Sequence, residues 1–268
     1  MSYGKDILYH YTSILGLYGI IGSKGLRFGE FGRANDPRET CGICEFRYVS
    51  FTVDGVVKGW ANPLMWYMYG HKYGGVCIGF DRSKLLRLNN NLDLESFPIL
   101  YRDSDMPHVL QFGIEPMKYK LSVWAGENEF RIINKGNEKF LKIDINCIEH
   151  IYFMNPTPKR FTMPFKEIHT IGLNHKLTNI AFCDGDIVTI NSDRCKGEGG
   201  FVVAPSGKIA VAVLGDDLLT EQEIYQRCRD LYEEFSNEDN ILCSACMETH
   251  RKCKSNQKEL QPSNPTEQ

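Results

Sequence analysis

The sequence predicts an α+β protein, and three observations carry that reading. Short β-type runs, beginning with Ile7-Leu8-Tyr9-His10-Tyr11, are interleaved with segments of helical spacing through the first half of the chain. Residues 74–80 form a nearly all-apolar run opened by two glycines, the composition of a strand buried on both faces. After Pro158, β-type runs follow one another between turn clusters and end in one helix near residues 220–235.

The elements follow in order. The first strand ends at His10-Tyr11, and Thr12 or Ser13 caps a helix whose apolar residues Ile14, Leu17, Tyr18 and Ile21 share one face. Gly22 and Gly25 are the expected stop, with Leu26-Arg27-Phe28 as a second strand. Arg33, Asn35 and Asp36 fall in a loop before Pro37, either an Asx-type cap or a ligand-binding loop. Residues 48–53 alternate hydroxyl and apolar side chains and read as a strand with Ser50 and Thr52 on one face. Trp66, Tyr69 and Tyr73 recur at helical spacing; packing in the core is the ordinary role of such a stripe, and stacking on a flat ring is the alternative. Asp81 starts a short helix, and strands are expected near residues 99–101, 128–133, 140–145 and 147–153. Beyond residue 155, runs at 179–183, 186–190, 200–204 and 208–214 suggest a compact antiparallel unit or small barrel. Thr220 caps the last helix, which places Ile224, Leu231 and Phe235 on one side. The expected division is therefore 1–155, a β-rich region 156–238, and a Cys-rich segment with a polar tail over 239–268.

Composition narrows the function. With 268 residues, 42% hydrophobic and 24% charged, the chain has the make-up of a soluble globular protein. A formal net charge of −3 gives no global basic signal, so any nucleic-acid contact needs a local patch, for which Lys159 and Arg160 are candidates. No secretory signal and no apolar run of spanning length is visible, so a cytoplasmic protein without a membrane partner is expected. The ten cysteines are scattered, which in such a protein suggests buried small hydrophobes or metal ligands, not disulfides.

Two clusters invite chemistry. Glu127, Glu129 and Arg131 alternate along a strand and would share a face. Burying two acids and one arginine is costly unless something pairs with them, so the ordinary reading is a solvated sheet edge and the sharper one a catalytic carboxylate with a helper. Cys243, Cys246, His250 and Cys253 offer four thiol or imidazole groups within eleven residues. On one continuous helix they would extend over about 15 Å and could not all reach one zinc ion; only a looped segment could bring them together.

In order along the first 155 residues stand Leu8-Tyr9-His10-Tyr11-Thr12, Asn35-Asp36-Pro37 with Glu39, Ser50-Phe51-Thr52, Leu64-Met65-Trp66 with Tyr69, Gly75-Val76-Cys77-Ile78-Gly79-Phe80-Asp81, and Trp124 with Glu127, Glu129 and Arg131. This ordered set resembles a bacterial family that looks like a distant branch of the ADP-ribosyltransferases, near the DarT-like toxins. The resemblance implies a split β-sheet with flanking helices that grips NAD in a central cleft. It would make His10, with Tyr11 and Thr12, a ribose or nicotinamide contact. Ser50-Phe51-Thr52 would be the brace of the site, although Val53 stands where the pattern has a further serine. Glu127-Asn128-Glu129 would be the Glu-x-Glu element whose second acid is catalytic. A toxin or antiphage role follows from the same resemblance.

Cleavage of the nicotinamide–ribose bond leaves an oxocarbenium-like centre. Glu129 would stabilise that charge, and Glu127, roughly 7 Å along a strand, would orient or deprotonate the accepting nucleophile. Arg131 would hold a pyrophosphate or pair with an acid, and Trp66, Tyr67 or Tyr69 would stack on a ring of the dinucleotide. Arg33, Asn35 and Asp36 would contact ribose or target. The acceptor, nucleic acid, protein or small molecule, stays open. A non-catalytic nucleotide- or nucleic-acid-binding module and an NAD glycohydrolase are the competing functions.

Overall fold

The computed structural model describes residues 6–31, 46–103, 113–154, 168, 171–183, 186–189 and 219–236. β1 (Ile7–Thr12) leads into α1 (Ile14–Ser23), capped by Ser13, whose side chain accepts the Gly16 N–H at 2.9 Å. The helix stops differently from expectation. Lys24 adopts the left-handed conformation at φ 55°, and its N–H closes on the Ile20 and Ile21 carbonyls. Gly22 lies inside the helix, where a Cβ would stand 2.9 Å from the backbone nitrogen of Arg229. Its use is close packing, not chain reversal.

β2 (Gly25–Arg27), β3 (Gly29–Glu30) and β4 (Arg47–Thr52) follow, then α2 (Pro63–Met68), β5 (Val76–Asp81) and α3 (Arg82–Leu88). Asp81 caps α3 by accepting the Lys84 N–H at 3.0 Å. Next come β6 (Leu94–Pro98), β7 (Leu100–Tyr101), β8 (Tyr119–Lys120), β9 (Glu129–Asn134), β10 (Phe140–Lys142) and β11 (Ile148–Met154). β12 (Leu177–Cys183), β13 (Asp186–Thr189) and α4 (Glu221–Ser236) complete the described elements. Thr220 and Glu223 form a reciprocal box at the start of α4: Thr220 N–H donates to Glu223 Oε2 at 2.6 Å, and Glu223 N–H donates to Thr220 Oγ1 at 3.3 Å.

Among the described residues, nine strands make one mixed sheet in the order β13-β12-β11-β5-β1-β4-β9-β6, with β3 paired to β4. β11 and β12 run parallel and the other neighbours antiparallel. One face carries a core built from α1, α4 and side chains such as Leu8, Phe51, Ile78, Phe130 and Ile151. A second cluster, Tyr9, Tyr11, Trp66, Cys77 and Tyr152, sits beneath α2. The α+β class is what the sequence predicts.

Two expectations change. The described part of 156–238 is not a separate antiparallel unit: β12 extends the main sheet from β11, and α4 packs on α1 and shares its core. The runs at 200–204 and 208–214, Lys159, Arg160 and the 239–268 segment lie outside the described residues. The aromatic stripe is also not one helix. α2 ends at Met68, and His71, Lys72 and Tyr73 all have positive φ, which breaks helical spacing after Tyr69.

Candidate active site

A break in the pairing of the sheet creates the candidate site. β1 registers with β5 over six residue pairs and β4 with β9 over six, yet β1 and β4 meet at a single register pair, Tyr9↔Thr52. Beyond that pair the strands part. A cleft of about 530 Å³ lies there, lined by Tyr9, His10, Ser50, Thr52, Glu127 and Glu129 among others. That volume is in the range of small-ligand sites. Met65, Met68 and Tyr69 supply an apolar and aromatic wall from α2.

His10 bridges the two strands, its Nδ1 3.2 Å from the Ser50 carbonyl. A carbonyl accepts only, so Nδ1 carries the proton. Burial lowers the pKa of the ring and keeps it neutral, which leaves Nε2 as an acceptor. Thr52 presents a different asymmetry. It is 1% exposed, lines the cleft, and its Oγ1 has no hydrogen-bond partner among the described residues. A buried hydroxyl left without a partner costs about 1–3 kcal/mol.

The acids are buried, not on a solvated edge. Glu127 ends a 3₁₀ turn over Ser122–Glu127 and Glu129 opens β9, so they do not share one strand. Asn128 between them is left-handed at φ 45°, a conformation asparagine tolerates better than most residues. Its Nδ2 donates to the Val53 carbonyl at 2.8 Å, and Val53 N–H returns a bond to Asn128 O at 3.1 Å. This turn lets both acids face the cleft. Asn62 adds a tie from α2: it caps that helix and donates to Gly126 O at 2.6 Å.

Two cations balance the two acids. Lys120 Nζ lies 2.6 Å from Glu127 Oε2 and 2.8 Å from Glu129 Oε2. Arg131 grips Glu129 with both ends of its fork, Nε to Oε1 at 2.6 Å and Nη2 to Oε2 at 3.1 Å. Its Nη1 donates to Met117 O, and its guanidinium stands 4.9 and 5.3 Å from the ring centres of Tyr48 and Phe31. Ser50 Oγ donates to Glu129 Oε1, and Tyr101 Oη accepts the Glu129 N–H at 2.8 Å. Burial would push the Glu129 carboxyl up; the charges of Arg131 and Lys120 outweigh it and hold the pKa at about 2. Ser50, Arg131 twice and Lys120 thus fill the roughly four acceptor positions a carboxylate has. Glu127 receives two donors, Tyr69 Oη at 2.6 Å and Lys120.

The cleft therefore gathers His10, Tyr11, Ser50, Thr52, Tyr69, Glu127 and Glu129 from the predicted set. Within that set Tyr11 is mainly a brace: its hydroxyl donates to Gly59 O and its ring meets Trp66 edge-on. Three candidates are placed elsewhere. Trp66 is fully buried, with its indole N–H on Trp60 O at 2.7 Å, so the core reading of the aromatic stripe is the right one for it. Arg131 stands behind Glu129 with no exposed surface, paired to an acid instead of reaching a pyrophosphate. Thr12 lies against the first turn of α1, since a Cβ on Gly16 would meet its Oγ1. Arg33, Asn35 and Asp36, and the possible zinc ligands Cys243, Cys246, His250 and Cys253, lie outside the described residues. Among the described residues, no group of three or more His, Cys, Asp and Glu side chains is arranged to hold a metal, and no helix is long and apolar enough to cross a membrane.

Lys120 and Tyr101 are the residues sequence reasoning missed. β7 and β8 are two residues each and pair in parallel, Tyr101↔Lys120, within a stretch that shows no periodicity. The signal was charge arithmetic: two buried acids and one arginine leave one negative charge without a counter-ion.

A family model described as a protein of unknown function (DUF2971) matches residues 65–132. That span runs from within α2 into β9, and includes Glu127, Glu129 and Arg131 but not His10, Ser50 or Thr52. No curated protein matches the chain, and neither does any solved structure.

Proposed function

We propose that the protein is an NAD-dependent mono-ADP-ribosyltransferase that binds the dinucleotide in the cleft between β1 and β4. One observation carries this reading: three segments far apart in sequence, at His10, at Ser50 and Thr52, and at Glu127 and Glu129, line one cleft where a sheet parts between two strands. They do so in the order in which the sequence resembles the transferase pattern.

The groups suit the reaction. The C1′–nitrogen bond breaks, nicotinamide leaves with the bonding pair, and positive charge develops on the ribose. An acceptor hydroxyl, amine or ring nitrogen attacks C1′, and its proton passes to a carboxylate of the Glu127–Glu129 pair. Neutral His10 and Thr52 provide hydrogen-bonding partners for ribose hydroxyls or the carboxamide. The Met65, Met68 and Tyr69 wall suits a flat ring. A toxin or antiphage role follows from the resemblance alone.

The test is transfer of label from NAD to material in a cell lysate, with release of nicotinamide followed in parallel. The reading predicts both, and loss of both in a Glu127→Gln/Glu129→Gln variant. Nicotinamide release without label transfer makes the protein a glycohydrolase. Absence of both, with unchanged protein stability on NAD addition, removes the reading.

A further inference from the structure

We propose that the two acids exchange the roles their order in the sequence suggests: Glu127 is the carboxylate that touches substrate, and Glu129 is a positioning residue. This rests on the NAD reading above. A carboxylate offers about four lone-pair directions to donors. At Glu129 all are taken by protein groups, Ser50 Oγ and Arg131 Nε on Oε1, Arg131 Nη2 and Lys120 Nζ on Oε2. A ribose hydroxyl can reach Glu129 only by displacing one of these donors.

Displacement is unfavourable there. Arg131 is bidentate, fully buried, and fixed by Met117 O and by the Phe31 and Tyr48 rings. Separating a buried ion from its partner leaves an uncompensated charge in a low-dielectric site. The negative charge of Glu129 is also already met by two cations. Its remaining use is to hold Ser50, Lys120 and Arg131 in place.

Glu127 is built the other way. Among the described residues its two donors come one to each oxygen, Tyr69 on Oε1 and Lys120 on Oε2, so each oxygen keeps a lone pair for a further donor. It lines the same cleft as Thr52, whose hydroxyl has no partner among the described residues. Lys120 then has a defined part: it spans the acids, 2.6 Å from Glu127 Oε2 and 2.8 Å from Glu129 Oε2, and so places one cation between two carboxylates. The ligand group expected at Glu127 is a proton donor, either a ribose hydroxyl or the acceptor's O–H or N–H.

The experiment measures nicotinamide release and thermal midpoint together for wild type, Glu127→Gln, Glu127→Asp and Glu129→Gln, well below every transition. The proposal expects Glu127→Gln to lose kcat by at least about 100-fold, with its midpoint within a few degrees of wild type. Glu127→Asp should keep the charge and the fold but lose at least about tenfold in kcat, because the carboxylate is drawn back by one methylene. Glu129→Gln should lower the midpoint by about 5–10 °C while the folded protein keeps kcat within about tenfold, its loss appearing in KM. A Glu129→Gln protein of wild-type midpoint without activity, beside active Glu127 variants, overturns the exchange and leaves the NAD reading standing. Wild type that neither releases nicotinamide nor is stabilised by NAD overturns both.

Discussion

Asn128 Nδ2 donates to the Val53 carbonyl at 2.8 Å, and that bond holds the left-handed turn on which both acids depend. The residue between two catalytic candidates is thus a structural hinge joining β9 to the end of β4. Asn128→Ala should destabilise the protein by about 1–3 kcal/mol, from the lost bond and the αL penalty of a residue bearing a Cβ. Asn128→Gly should cost less, since glycine enters αL freely. Urea titration of the two variants measures the difference; equal losses would show that the backbone conformation is not the issue.

Arg131 and Glu129 form a buried bidentate pair, so truncating either is expected to cost far more than a surface pair would. Arg131→Met should destabilise by about 3–5 kcal/mol, because Glu129 then depends on Lys120 alone, which it shares with Glu127. The Arg131→Met/Glu129→Gln double variant should recover part of this loss, a coupling that a double-mutant cycle in denaturant quantifies.

Acid should act through the same pair. The Glu129 carboxyl has a folded pKa of about 2, below its unfolded value, so the unfolded state binds its proton first as pH falls. Its stabilisation is complete above pH ~4.5 and is lost progressively between pH ~4.5 and ~2, with a total on the order of 3 kcal/mol. His10 acts at higher pH with the same sign. Its pKa is lowered by burial, so stability falls as pH drops below about 6.5. Stability measured against pH for wild type and Glu129→Gln should show the lower window flattened in the variant.

Thr52 should separate stability from binding. Thr52→Val removes a buried hydroxyl that has no partner among the described residues, at nearly constant shape, and is expected to stabilise the ligand-free protein by up to about 1 kcal/mol. The same change should weaken NAD binding by about tenfold. Calorimetric unfolding with and without NAD reads both effects; a destabilised ligand-free variant would mean that the hydroxyl serves the fold.

Gly22 tests how the chain is divided. Because a Cβ there would press on the Arg229 backbone, Gly22→Ala should cost about 1–3 kcal/mol and loosen α4 from α1. If residues 221–236 formed part of an independent unit, the variant would leave the main unfolding transition unchanged.

Much of the fold was legible because its signals are local. The alternation around Ser50, the apolar run into β5, the cap of α1 at Thr12 or Ser13, the Asp81 helix start and the Thr220 cap each needed only neighbours in sequence. The end of α1 was not, since a lysine there takes the conformation normally left to glycine. The place of β12 in the main sheet is not legible, because strand pairing is a long-range choice that period-2 patterning does not encode. At the site, Glu127, Glu129 and Arg131 were visible as a charge cluster, but their arrangement was not. Alternation on one strand placed them side by side, whereas the turn at Asn128 splits the acids and burial demands Lys120 from another strand.

The most direct test of the account is a calorimetric titration of the full-length protein with a non-reactive NAD analogue, repeated with a Thr52→Val/Glu127→Gln variant. A cleft formed where β1 leaves β4 predicts saturable binding near one molecule per chain for wild type, and binding at least about tenfold weaker for the variant. Absence of binding, or equal affinity in the two proteins, would contradict it.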